Sequence, residues 1–339
     1  MIYKNKADKI ASTEAVSLDE IFAPIKKDLK QVENFFLKWA DNASPALKKM
    51  ATAFFQKPGK LIRPGLLLLA ASQLGYRKQK RIIAAAAVEA VHAASLIHDD
   101  LIDGSVTRRG QQSLALAYGE KFGLLLGDFF FIKSIATSVA AISPASTQLL
   151  ARVTEKMIEG EAEELAHMMD YSLDEKTYWH IIEYKTASLF ETTCLIASEL
   201  AGASEEDKRA LATYGKNLGL AFQVIDDLID ITGSPDETGK PAFSDLREGR
   251  LTLPFILARE LADPRTKREL KRWIEKSTDD RSHLNKLLDF LTKSGALELT
   301  YQRAEKLINK SKKSIKNMKE TPYRHSLMKM ADFVLLRKF

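Results

Sequence analysis

The sequence predicts an all-α fold in which two acidic helices face each other across a cavity. Three observations carry that expectation. Apolar residues recur at helical spacing along most of the chain, with no sustained alternating strand pattern. Helix breakers divide the periodic runs at Gly104, Ser143-Pro144, Gly202, Gly233-Ser234-Pro235, Asp263-Pro264 and Thr321-Pro322. One acidic pattern occurs twice, as Asp99-Asp100-Leu101-Ile102-Asp103 and Asp226-Asp227-Leu228-Ile229-Asp230. Each copy ends a long apolar run, just before a loop containing glycine.

The elements follow in order. Ser17-Leu18-Asp19-Glu20 reads as a capping box opening the first long helix. Pro64 sits at the start of a run through Gly65-Leu66-Leu67, where a proline suits the first helical turn. Residues 78–103 form an alanine-rich helix, apolar almost all round and therefore buried. Further helices are expected over 111–141, 145–168, 173–201 and 205–231. Shorter ones are expected over 252–262, 265–276, 280–293, 296–319 and 322–337. No linker is long or low in complexity, so residues 1–339 read as a single domain.

Composition narrows the function classes. The chain is 45% apolar and 28% charged, which suits a soluble globular protein with a sizeable core. Cys194 is the single cysteine, so no internal disulfide exists and a reducing, cytoplasmic setting is expected. The first residues lack the apolar stretch of a signal peptide. No apolar run reads as a span of ~20 residues, so no membrane crossing is expected. The net charge of +6 favours anionic partners. No zinc-finger, RRM or bZIP pattern supports nucleic acid as that partner. The lysines between Lys306 and Lys319 read as the solvated face of a helix.

The acids point to a metal. Residues three and four apart share a helical face, so each copy presents a fan of carboxylates. Like charges on an apolar helix repel and are costly to desolvate. A divalent cation is the simplest compensation. A single such pattern is usually a solvated face, but two copies in apolar settings favour a metal–diphosphate site. Hard oxygen ligands without cysteine indicate Mg2+, which binds together with substrate phosphates.

Basic residues accompany the acids. Lys60 and Arg63 lie three apart at a helix start. Arg108 and Arg109 follow the first acidic copy. Lys185 and Thr186 sit in an apolar helix, and Lys240 and Arg250 flank the loop after the second copy. A lysine in an apolar stripe needs an anion nearby. Together these clusters suggest two anionic sites, one bridged by metal and one held by Lys and Arg, whose guanidinium suits bidentate phosphate contacts. His92 lies two turns before Asp99 on the same face. The His98-Asp99 pair does not make a metal phosphohydrolase, because no second histidine lies far enough upstream.

With these motifs in place the chain resembles the trans-polyprenyl diphosphate synthases of the isoprenoid synthase family, in particular the octaprenyl and heptaprenyl type. The resemblance runs from about Leu29 to the C-terminus. It rests on Gly59-Lys60-x-x-Arg63-Pro64, Glu89-Ala-Val-His92, the two acidic copies, Arg108-Arg-Gly110, Leu126-Gly-Asp128, Glu159-Gly-Glu161, Tyr184-Lys-Thr186, Gly239-Lys240 and Ser244-Asp-Leu-Arg-Glu-Gly249. It implies an antiparallel helix bundle around a central cavity, usually a homodimer, although a heteromeric partner is also known in the family. The implied reaction adds isopentenyl diphosphate head to tail to an allylic diphosphate, here for a quinone side chain. By motif, Asp99, Asp103 and Asp226 would hold three Mg2+ ions, with Asp100, Asp227 and Asp230 supporting. Arg108, Lys185 and Lys240 would contact the allylic diphosphate. Lys60, Arg63, His92 and Arg109 would hold isopentenyl diphosphate, and Thr186 and Gln223 would line the reacting centre. A transient membrane contact for product release is compatible with this picture.

The resemblance also bears on product length. In the family, the residues four and five before the first acid decide where growth stops. Here they are Ser95 and Ala94, with Val91 and Ala87 deeper on the same face. All are small, so a growing tail could pass, and Phe131 with Phe129 and Phe130 could form a deeper floor. Products in the C30–C40 range are implied, and Ala94→Phe should shorten them. Small residues here could instead simply allow close helix packing. The alternatives are a farnesyl- or geranylgeranyl-length synthase, the catalytic subunit of a two-component synthase, a non-catalytic partner, or a class I terpene cyclase. Retention of all six acids argues against the non-catalytic partner, and Lys60, Arg63 and His92 argue against the cyclase. Pro58, Glu164, Phe243 and Arg250 depart from the family pattern; a loop needing positive φ at Phe243 would strain there.

Overall fold

The computed structural model describes residues 17–56, 59–105, 107–108, 111–233, 242–276 and 281–337. The Ser17 hydroxyl accepts from the Glu20 amide, as a capping box requires. The helix it opens is short, α1 (Leu18–Phe22), because a 3-10 turn at Ala23–Ile25 carries Pro24. The long helix α2 (Lys26–Asp41) follows, then α3 (Pro45–Gln56) and α4 (Ile62–Gln73). The alanine-rich helix is α5 (Lys80–Ile102), with Asp103 as its C-cap.

The helix expected over 111–141 is divided. A two-residue antiparallel ladder, β1 (Thr107–Arg108) with β2 (Gln111–Gln112), precedes α6 (Leu114–Tyr118) and α7 (Glu120–Ala141). Gly119, at φ 95°, breaks the two helices apart, a conformation that costs glycine little. Next come α8 (Pro144–Ala166) and α9 (Glu175–Ile182). The run expected over 173–201 starts at the Asp174 cap and is interrupted by a π-turn at Glu183–Ala187 before α10 (Ser188–Ala201). The second acidic copy ends α11 (Glu205–Thr232). The remainder is α12 (Ser244–Arg247), α13 (Leu253–Leu261), α14 (Pro264–Lys276), α15 (Arg281–Lys293), α16 (Ala296–Ser314) and α17 (Pro322–Leu336).

Two apolar clusters form the interior. The larger holds α2, α4, α5, α10 and α17; the smaller holds the second half of α11 with α13, α15 and α16. Helix α5 lies at the centre, packed on α7, α4 and α2, and α11 packs on α10 and α16. Both acidic helices are thus held by packing along their length, while their C-terminal ends are left to face the cavity.

The membrane expectation needs a correction. Helices α5 and α7 are both long and apolar enough to cross a membrane by length and composition. For α5 the reason is burial: 67% of its apolar window lies inside the fold. For α7 the figure is 28%, and Leu125, Ile132 and Val139 stand exposed along one strip.

Phe243 does adopt a left-handed conformation, at φ 62°. That conformation costs a non-glycine residue ~1–2 kcal/mol. Phe243 is 3% exposed and its ring meets Phe255 at 6.2 Å, and burial of a large apolar side chain contributes ~1.5–3 kcal/mol. The strain is therefore offset by packing, and the Phe243 amide donates to the Asp230 carbonyl, tying the loop to the end of α11.

Candidate active site

The ends of α5 and α11 border one cavity of about 1270 Å3. Asp99, Asp100, Asp226 and Asp230 line it, together with Lys60, Arg63, His92, Ser95, Lys185, Thr186, Gln223 and Phe131. A smaller polar chamber of about 170 Å3 adjoins it, bordered by Asp99, Asp103, Lys185, Asp227 and Arg250. Residues separated by more than a hundred positions are thereby brought to one place. Arg109 and Lys240 lie outside the described residues, and for Arg108 only the backbone, in β1, is described.

The six acids divide by role. Asp227 is 2% exposed; it accepts from the Tyr178 hydroxyl at 2.5 Å and from the Gln223 amide at 2.9 Å. Asp230 accepts from the Ser244 and Asp245 amides and from the Ser244 hydroxyl. Asp100 is buried. Asp227 and Asp230 thus accept from protein donors, which tie the second copy to Tyr178, Gln223 and the turn at Ser244. Asp99, Asp103 and Asp226 meet cations instead. Asp103 pairs with Arg250 at 2.9 Å, and Asp226 pairs with Arg337 at 2.5 Å.

Carboxylate oxygens without any soft ligand fit a hard cation such as magnesium. Among the described residues no three His, Cys, Asp or Glu side chains converge on one point. A bound cation would complete its shell with diphosphate oxygens and water, as magnesium commonly does.

Lys185 projects from the π-turn, a distortion often found at functional sites. It donates to Glu161 and Glu164, both at 2.5 Å. Burial alone would lower its ammonium, but the charges of Glu164, Asp99 and Glu161 outweigh that and hold it above its ordinary range. Gly160 lets α8 approach: a Cβ there would lie 2.5 Å from the Lys185 amide. Thr186 donates to Gln223 at 2.9 Å, which in turn holds Asp227. Arg250 ties Asp103 to Asp245, Glu248 and, at 4.0 Å, Glu164. Burial opposes its charge, yet those acids raise the guanidinium above its usual range.

The other cations gather opposite. Arg63 is 8% exposed, meets His92 Nε2 at 2.9 Å and stacks over Phe190 at 4.5 Å. Burial lowers it to about 10, which leaves it charged at neutral pH. Burial, then the neighbouring Arg337, also lowers Lys60. Between them Leu61 holds a left-handed φ of 48°, backbone strain of the kind that collects at functional sites. The buried Nε atoms of Arg63 and Arg337 have no hydrogen-bond acceptor among the described residues.

Sequence reasoning passed over three of these residues. Arg337 stacks on Phe222 at 3.7 Å and donates to its carbonyl at 2.7 Å, so the last described residue reaches into the cavity. Nothing in its local sequence marks it beyond a cation after an apolar helix. Tyr178 was equally silent, because its partner Asp227 lies 49 positions away, and Glu161, although it stands in the Glu159-Gly-Glu161 motif, was given no role because Lys185 lies 24 positions on. Conversely, Ala94 and Val91 are fully buried and do not border the cavity, whereas Ser95 and Phe131 do.

Comparison with known proteins agrees with this geometry. Residues 44–291 match the model of the polyprenyl synthetase family. The chain is 30% identical to the octaprenyl diphosphate synthase of Escherichia coli over 322 residues, 95% of this chain and 99% of that one. It is 30% identical to component 2 of the heptaprenyl diphosphate synthase of Geobacillus stearothermophilus, covering 87% of this chain and 91% of that one. The crystal structure of a polyprenyl synthase from Caulobacter crescentus, complexed with calcium and isoprenyl diphosphate, superposes with a TM-score of 0.90 at 31% identity, covering 96% of this chain and 99% of that one. The chain belongs to the polyprenyl synthetase family and is a trans-prenyltransferase.

Proposed function

We propose that this enzyme condenses isopentenyl diphosphate head to tail with an allylic diphosphate and extends the product to an all-trans chain of C30–C40. One observation carries the reading: acids and cations face each other at the mouth of a cavity that is also lined by Leu96, Phe131 and Met157. Lys60, Arg63 and His92 sit together and are the reading's isopentenyl diphosphate site. Lys185 faces Asp99 and is its allylic diphosphate contact, joined by Arg108 and Lys240. Asp99, Asp103 and Asp226 would hold magnesium, which when bound neutralises the diphosphate and stabilises charge developing on the leaving group. The family's complement of three ions is adopted here.

The chemistry explains the residue types. Lys185 stays protonated because its acids outweigh burial, so it offers a fixed positive charge where the departing diphosphate gains negative charge. Leu96, Phe131 and Met157 exclude water that would otherwise quench the allylic cation. Thr186 and Gln223 are held to each other and to Asp227 beside the reacting carbons. The isopentenyl double bond attacks the cation, and the released diphosphate accepts the proton, so no side-chain base is required.

The exposed apolar strip of α7 (Leu125, Ile132, Val139) supports a homodimer, since a patch of this kind in water favours association. The buried thiol of Cys194 suits a cytoplasmic setting. The test is incubation with Mg2+, farnesyl diphosphate and labelled isopentenyl diphosphate. A ladder ending at C30–C40 is expected, with turnover lowered about 100- to 1000-fold by Asp99→Ala. Accumulation at C15–C20 would refute the length. No incorporation by the purified chain would refute a self-sufficient enzyme and favour a two-component one.

A further inference from the structure

A field of positive charge lies at the end of the molecule opposite the acids. Lys306, Lys310 and Lys313 stand at i, i+4 and i+7 on α16, a spacing that puts them on one face. All three are exposed, and Lys316 and Lys319 continue the exposed row beyond the helix. No acidic residue occurs between Lys306 and Lys319. Tertiary structure adds a second segment. The buried Gln73 side chain, at the end of α4, donates to the Lys319 carbonyl at 2.8 Å and accepts from the Thr321 hydroxyl. Arg77 lies over the Tyr323 ring at 5.4 Å. The exposed pair Arg77-Lys78 is thereby drawn to the end of the α16 row.

Among the described residues, Arg77, Lys78, Lys310, Lys313, Lys316 and Lys319 make no ion pair with a carboxylate. Helix α14 is also basic, but its cations alternate with acids: Arg265 meets Glu269 at 3.4 Å and Lys271 meets Glu275 at 3.8 Å. A surface field of one sign attracts an extended anionic partner. Lysine carries a compact charge on a flexible stem, which suits a layer of many headgroup phosphates better than one fixed anion. The Tyr323 ring is covered by Arg77 rather than open to stack a base, which disfavours single-stranded nucleic acid.

The position of the patch suits such a surface. Helix α5 starts at Lys80, two residues past Lys78, and carries the acids at its other end. At 1.5 Å per residue its length separates the two by ~33 Å. We propose that this basic patch docks the enzyme on an anionic lipid bilayer, with the diphosphate site turned away from the lipid. The proposal rests on the prenyl-transfer reading above, whose product is an apolar chain that water solvates poorly.

The full chain is mixed with vesicles of phosphatidylcholine alone or with about 30 mol% phosphatidylglycerol, and the bound fraction is read by flotation. Binding to the anionic vesicles is expected at about 50 mM salt and its loss at about 500 mM, with no binding to the neutral ones. Each lysine near such a surface strengthens binding about fivefold, so the triple variant Lys310→Glu, Lys313→Glu, Lys316→Glu should weaken it by about a hundredfold or more. The matched triple variant Arg268→Glu, Lys271→Glu, Arg272→Glu, on the exposed face of α14, should change it less than about threefold. Equal losses in the two variants would show that only net charge is read. Equal binding to neutral vesicles would show that an apolar face docks. Either result overturns the proposal, as does failure of the wild type to bind anionic vesicles while it retains a double-stranded DNA probe. Turnover of farnesyl diphosphate with labelled isopentenyl diphosphate, measured without vesicles, should match wild type in both variants and reports that they fold. No incorporation by wild type would sink the prenyl-transfer reading, and the vesicle result would still decide the docking surface.

Discussion

Tyr178→Phe removes one hydroxyl and nothing else, and tests whether Asp227 is an anchor. In the wild type the hydroxyl donates to Asp227 Oδ2 at 2.5 Å, inside a buried cluster. Burial pushes the Asp227 carboxyl well up, with Asp245 adding to the effect, while Tyr178 and Gln223 pull it down. A hydrogen bond to a charged group is worth ~1.5–3 kcal/mol net, and an orphaned buried acceptor costs ~1–3 kcal/mol. Two features limit the loss. Gln223 still donates to the other oxygen, and the carboxyl can take up a proton. The expected cost is about 1–2 kcal/mol. With a urea slope of ~3 kcal/mol/M, the unfolding midpoint should fall by about 0.3–0.7 M. In an Asp227→Asn background the same substitution loses only a neutral hydrogen bond, worth ~0.5–1.5 kcal/mol, so the two changes should not add. A shift below ~0.1 M, or equal costs in both backgrounds, would refute the anchoring role.

Two further outcomes follow from the geometry. Glu164→Gln removes one of two carboxylates on Lys185, leaving more of its charge for the substrate; KM for the allylic diphosphate should fall about fivefold, which corresponds to ~1 kcal/mol. A higher KM would show that Glu164 holds Lys185 in place rather than competing for it. Cys194 is fully buried, and burial pushes its thiol well above the usual range. A thiol reagent such as DTNB should therefore label the native enzyme negligibly and the urea-unfolded chain with about one equivalent. Rapid labelling of the native enzyme would contradict the packing around α10.

The helices were legible because their signals are local. Periodicity and breakers located α5, α8, α11 and α13 to α17 to within about five residues, including the ends of α5 and α11 where the acids sit. Where the expectation failed, a local detail had decided the backbone: Pro24 delayed the first long helix, and Gly119 separated α6 from α7. The π-turn under Lys185 leaves no comparable trace in the residue pattern; α8 packs closely against it at Gly160.

The chain's own residues determined the helical class, the two carboxylate fans and the cations that accompany them, since each is a matter of residue type at fixed spacing. The tertiary structure alone decided which protein groups each carboxylate meets. Tyr178 claims Asp227 and Ser244 claims Asp230, while Arg250 and Arg337 meet Asp103 and Asp226. It also buried Ala94 and Val91 while leaving Ser95 and Phe131 on the cavity wall. The physical reason is that a small residue permits either a passage or a close contact, and only the position of the facing helix chooses between them.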